Sequence, residues 1–289
     1  MTISDDDPAR LRSVAETLAV EAAAFVRRRR AEVFDTAEAP VAAVRAKSTP
    51  TDPVTVVDTD TERLLRDRLA QLRPGEPVLG EEGGGPTGPS GPDGAGVSWV
   101  LDPIDGTVNF VYGIPAYAVS VAAQVAGVSV AGAVADVVGG RVYSAGIGLG
   151  AHVTDEHGTV PIRASAADDL SMALLGTGFG YAARRRAAQA VLLARLLPVV
   201  RDVRRIGSAA LDLCMVATGR LDAFYEHGLR VWDLAAGALI AAEAGAEVIL
   251  PDVTPGSGEA GVTVAAAPGI AAALLEALRR FDALAPIPE

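Results

Sequence analysis

Between Ala116 and Gly148 apolar and polar residues alternate in short runs, broken at Gly127 and at the pair Gly139 and Gly140. A period of two punctuated by glycine marks strands joined by tight turns. This stretch therefore predicts a meander of antiparallel strands. Beyond about residue 165 the pattern changes: helices are expected near 184–197, 208–218, 232–244 and 268–281, and strands near 201–206, 222–226, 246–250 and 260–266. Such alternation reads as α/β. A chain of 289 residues, half of them hydrophobic, can build one large domain or two closely packed halves. The pattern divides it into an α+β half over residues 1–160 and an α/β half over 161–289 that form one compact unit.

Ahead of the meander, residues 9–34 carry apolar positions near helical spacing, which predicts an amphipathic helix. Its run of four arginines at 27–30 reads as a solvated face near the helix end. VTVVD predicts a short strand ending at Asp58, and Thr59 with Glu62 forms a capping box for a helix to about Leu72. Residues 80–96 are too rich in Gly and Pro for regular structure, and VSWVLD then reads as a buried strand. No repeat occurs at solenoid periods.

A formal net charge of −11 argues against nucleic-acid binding, which needs clustered Lys and Arg. Phosphate chemistry remains open if carboxylates converge on divalent cations, because the cations invert the local field. Cys214 is the single cysteine and the chain begins MTISDDD, so a reducing, cytoplasmic setting is expected. Residues 114–138 are interrupted by Pro, Gly, Ser, Gln and Asp, so no membrane-spanning helix is expected there.

Chemistry concentrates at WVLDPIDGTVNF, residues 99–110, where an apolar strand delivers Asp102, Pro103 turns the chain and Asp105 precedes a helix start at Gly106 and Thr107. Alone, DPIDG fits an acidic turn with a helix cap as well as it fits a site. Glu81 in a GEE turn, Asp233 after Trp232 at a helix start and Asp58 at a strand end shift the balance, because ligands are displayed at element ends. Carboxylate oxygens suit a hard cation such as Mg2+, and free N–H groups at a helix start suit a phosphate.

GEEG at 80–83, WVLDPIDGTVNF and WDLAAG at 232–237 resemble, in order and spacing, the signature of the inositol monophosphatase family, most closely its bacterial inositol-1-monophosphatases. KSTPTDPVTVVD at 47–58, GTGFGY at 176–181 and RRIGSAALDLCMVATGRLDAFYEHG at 204–228 extend the resemblance over nearly the whole chain. It implies a sugar-phosphatase αβαβα sandwich, with an antiparallel-rich first sheet and a smaller α/β C-terminal half. Mg2+ would be held by Glu81, Asp102, the Ile104 carbonyl, Asp105 and Asp233, most of them in the first half. Gly106 and Thr107 would bind phosphate, and Ser208, Ala209 and Glu226 would line the sugar pocket with Asp105 and Asp233 at its metal end. Glu81 and Thr107, the latter oriented by Asp58, would position the attacking water.

The reaction so implied is hydrolysis of myo-inositol 1-phosphate, with lithium sensitivity and a homodimer as family traits. Fructose 1,6-bisphosphate, histidinol phosphate and a nucleotide are the rival substrates, and an accessory role in transcription or ribosome assembly is the rival of another class. Lys47 would lie near the metal loop, Cys214 reads as core, Arg184 to Arg186 as a helix coat, and Arg204 and Arg205 as pocket or dimer contacts. Val108 stands where many relatives carry a second threonine, and Arg230 lies where they vary.

Overall fold

A computed structural model describes residues 6–34, 44–47, 52–86, 96–251 and 259–288; much of the Gly/Pro-rich stretch, 87–95, falls outside these. Helix α1 (Pro8–Phe34) buries Leu11, Ala15, Leu18, Ala22 and Val26, a stripe at helical spacing. Its arginines are more than a solvated face. Arg27 donates to the Val137 carbonyl at 2.8 Å and Arg30 to that of Phe110 at 3.1 Å, tying the helix to the sheet beneath it.

After the short pair β1 (Val44–Ala46) and β2 (Pro53–Thr55) comes α2 (Val56–Leu72). The expected strand thus stops at Thr55, and Asp58 lies in the first turn of a helix. Thr55 Oγ1 accepts the N–H groups of Val57 and Asp58 at 3.1 and 3.3 Å, and Asp58 Oδ2 accepts the Thr55 N–H at 2.9 Å. The capping box is therefore Thr55 with Asp58, one turn earlier than the Thr59 and Glu62 pair.

β3 (Val78–Gly80), β4 (Val97–Asp105), β5 (Ala118–Val125), β6 (Val128–Asp136), β7 (Arg141–Gly146), β8 (Ala151–Asp155) and β9 (Gly158–Pro161) form a seven-stranded sheet in chain order. Only β3 and β4 pair in parallel; the rest is the expected meander, extended to Pro161. The helix α3 (Thr107–Tyr112) leaves the end of β4.

A second sheet comprises β10 (Leu174–Thr177), β11 (Asp202–Arg204), β12 (Ala223–His227), β13 (Glu247–Ile249) and β15 (Val262–Ala266). Its order is β11-β10-β12-β15-β13, with parallel and antiparallel pairs mixed. β10 is absent from the sequence-based expectation, since four residues running into glycines carry too little periodicity. Between the sheets lie α5 (Ala209–Ala217) and α6 (Val231–Glu243). Residues Leu234 to Ala241 of α6 are all buried, as a helix clad on every side must be. α4 (Ala183–Leu196) and α7 (Pro268–Arg280) cover the far face through Leu192, Leu196, Ile270 and Leu274. β14 (Glu259–Ala260) and β16 (Ile287–Pro288) form a last small pair.

The layers run helix, sheet, helix, sheet, helix. Among the described residues no helix is long and apolar enough to cross a membrane.

Candidate active site

The pairing of β4 with β5 is regular as far as Asp102 and shifts register before Asp105. An irregularity of this kind re-aims side chains, and it brings both carboxylates toward the middle layer. There Asp233 projects from the first turn of α6, with Oδ2 accepting the Arg230 N–H at 2.6 Å. One carboxylate oxygen from each of Asp102, Asp105 and Asp233 lies within 4.8 Å of the other two. Glu81, on the turn after β3, stands outside this triplet, but its carboxyl group is near enough to that of Asp102 for the charge of one to raise the other. Lys47 Nζ reaches Glu81 Oε1 at 2.7 Å and Glu82 Oε1 at 2.5 Å, which makes it more than a surface charge.

Burial is the first cause of the electrostatics here. It raises the carboxyl groups of Asp102 and Asp233 well above the ordinary range, reinforced by the acids around them. Asp105 rises too, again through burial, but is held back by hydrogen bonds from Ser208 Oγ at 2.6 Å and the Ala210 N–H at 2.7 Å. Ser208 is thus a support for Asp105 as well as a wall of the pocket. Burial likewise works against charge on Lys47, but Glu81 and Glu82 outweigh it and hold the ammonium above the usual lysine range. Mutually raised carboxylates converging on one point are what a divalent cation relieves, and an all-oxygen donor set suits a hard one.

Beside the triplet, Thr107 Oγ1 lies 3.0 Å from the Ile104 carbonyl and 3.1 Å from Asp58 Oδ1. Asp58 is fully buried, and its carboxyl is pushed up to about 6 by burial against the hydrogen bonds from Thr55. The strand-end position expected for Asp58 is wrong, yet the helix brings it to Thr107.

Glu81, the triplet and Thr107 line a cleft of about 660 Å³, with Asp58 buried behind Thr107. Ser208, Ala209, Gly106 and Glu226 line it, together with Tyr181, Arg185, Arg205 and Arg230. Arg204 points elsewhere, pairing with Asp202 on the surface at 2.6 Å. Arg185 corrects the helix-coat reading, because the first turn of α4 faces the cleft.

The model of the inositol monophosphatase family matches residues 7–282. The chain belongs to the inositol monophosphatase family. It is 74% identical to the inositol-1-monophosphatase of Mycobacterium leprae, over 99% of each chain. It is 36% identical to the Nus factor SuhB of Salmonella typhimurium, over 91% of this chain and 95% of that one. Among solved structures, Mycobacterium tuberculosis SuhB matches with a TM-score of 0.82 and 66% identity, covering 97% of this chain and all of the other. Membership makes the protein an inositol-phosphate phosphatase, and the family's dependence on metal accords with the acidic triplet.

Within the phosphatase cleft, Glu226 carries a measurable signature. Burial pushes the Glu226 carboxyl from 4.5 up to about 8, against the pull of Arg205 and Arg185. With the folded-state value raised, the stability this group contributes is fully present below about 4.5 and lost as pH rises through about 8. The melting temperature of metal-stripped protein is therefore expected to fall across that window. Glu226→Gln should make the fall shallower and melt above wild type at its alkaline end. An unchanged slope in thermal melts would assign the pH dependence to other groups.

Proposed function

We propose that this phosphatase hydrolyses myo-inositol 1-phosphate to inositol and phosphate in a Mg2+-dependent reaction. The observation that carries the reading is the triplet of Asp102, Asp105 and Asp233, which lines the cleft together with Thr107, the partner of Asp58. In this reading Glu81, Asp102, the Ile104 carbonyl, Asp105 and Asp233 hold Mg2+. Bound there, the metal supplies positive charge that activates water and balances charge developing on the leaving oxygen. The Gly106 and Thr107 N–H groups hold the phosphate. Thr107, oriented by Asp58, positions the attacking water with Glu81. Glu226 accepts polyol hydroxyls, and Ser208 and Ala209 wall the sugar. Residues 1–160 and 161–289 act as one catalytic unit, since the last ligand and the sugar pocket come from the second half. The protein works in the cytoplasm as a homodimer and does not bind nucleic acid.

A phosphate-release panel tests the substrate. Inositol 1-phosphate is expected to be cleaved with the highest kcat/KM of a set that includes fructose 1,6-bisphosphate, histidinol phosphate and 3′-phosphoadenosine 5′-phosphate. Activity should require Mg2+ and be inhibited by Li+. Arg185, Arg205 and Arg230 around the cleft favour fructose 1,6-bisphosphate as the second reading, because extra cations suit a second phosphate. A higher kcat/KM on the bisphosphate would establish it. The Nus factor relative motivates one control: metal-independent capture of a large complex with negligible turnover on every phosphomonoester would favour an accessory role.

A further inference from the structure

We propose that Glu62, backed by Arg66, is a positioning residue that sets the turn presenting Glu81 to the metal; this rests on the reading of Glu81 as a ligand. Sequence spacing made Glu62 a helix-capping residue, yet in the structure its carboxylate leaves its own helix. Oε2 accepts the Glu82 N–H at 2.7 Å and Oε1 accepts the Gly83 N–H at 2.9 Å, the two amides that follow Glu81. Arg66, one turn along α2, donates through Nε to the same Oε1 at 2.8 Å. Its two terminal nitrogens donate to the carbonyls of Val78 at 3.2 Å and Gly84 at 2.5 Å, which flank the turn.

The turn closes on itself through the Gly80 N–H to the Gly84 carbonyl at 3.0 Å. From outside, the acid and the arginine grip it, and the Glu81 N–H donates to the Leu101 carbonyl of β4 at 3.2 Å. The glycines of the GEEG motif are what let the acid approach so closely. A Cβ on Gly80 would fall 2.4 Å from Glu62 Cδ, and one on Gly83 would fall 2.7 Å from Glu62 Oε1. The Glu62 side chain is only 3% exposed. A carboxylate so buried is tolerable only with its oxygens satisfied, and the donors that satisfy it are the turn and Arg66. Because Glu81 and Glu82 both meet Lys47, a shift of these amides would move the carboxylates on each side of it.

The test compares wild type, Glu62→Gln and Arg66→Lys as full-length, metal-stripped proteins. Mg2+ affinity is read by isothermal titration calorimetry, and protection of the Glu82 and Gly83 amides by hydrogen exchange, both well below the melting temperature of each variant. Glu62→Gln is expected to weaken Mg2+ binding about tenfold or more, the scale typical of groups that orient ligands, and to lose the amide protection. Arg66→Lys keeps the charge but loses the fork, so a smaller weakening is expected. Arg66 is about one-third exposed, so this variant decides the matter if Glu62→Gln does not fold. Folded variants with lower melting temperatures but wild-type Mg2+ affinity would overturn the proposal and leave Glu62 a purely structural residue. A wild type that binds no Mg2+ would instead remove the reading of Glu81 on which it rests.

Discussion

Asp233→Asn is expected to lower kcat/KM for inositol 1-phosphate by about three orders of magnitude, the rate equivalent of several kcal/mol of lost charge stabilisation. The same substitution should raise the melting temperature of metal-stripped protein at neutral pH. The two effects share one cause. Burial, with Asp105 and Glu81 nearby, holds the Asp233 carboxyl well above its ordinary range. The stability it contributes is thus present below the usual aspartate value and lost as pH rises, and a neutral amide does not suffer that loss. Added Mg2+ should stabilise wild type far more than the variant. Asp105→Asn should lose turnover equally but gain less stability, because Ser208 and the Ala210 N–H now bond to its charge. Steady-state kinetics and melts with and without Mg2+ check both halves, and full activity in Asp233→Asn would remove it from the metal site.

Thr107→Val should lower kcat by about a hundredfold or more, within the range of positioned proton-transfer and water-orienting groups. The substitution keeps the side-chain shape at a buried residue, 6% exposed, so the fold should survive. It takes from Asp58 the hydroxyl 3.1 Å away while leaving the Thr55 N–H and hydroxyl bonded to the other carboxylate oxygen. Thr107→Ser restores the hydroxyl and should recover most of the rate. Near-normal kcat in Thr107→Val, measured at saturating substrate and Mg2+, would mean that the water is oriented by Glu81 alone.

Much of this site was legible in the chain because its parts are local. Asp102, Asp105, Gly106 and Thr107 share one strand-to-helix segment, and Asp233 opens a helix that the apolar pattern locates by itself. From sequence Asp58 reads as a strand end, because Thr55 with Asp58 and Thr59 with Glu62 both have capping-box spacing. Local sequence cannot choose between them; the turn that α2 packs against does, by claiming Glu62 for Glu82 and Gly83. Ser208 bonds Asp105 across 103 residues of sequence, and no spacing rule reaches that far. Arg185 looked like one of three alike arginines on a helix, and only the fold of the second half turns it into the cleft. Long-range partners of charged groups were what the sequence alone concealed.

In the proposed reaction the buried acids make this phosphatase active only with Mg2+. Its most direct test is phosphate release from inositol 1-phosphate by protein stripped with EDTA, before and after Mg2+ is titrated back. The expected result is no turnover in EDTA and saturable recovery with Mg2+. Undiminished turnover in EDTA, or none at any Mg2+ concentration, would contradict it.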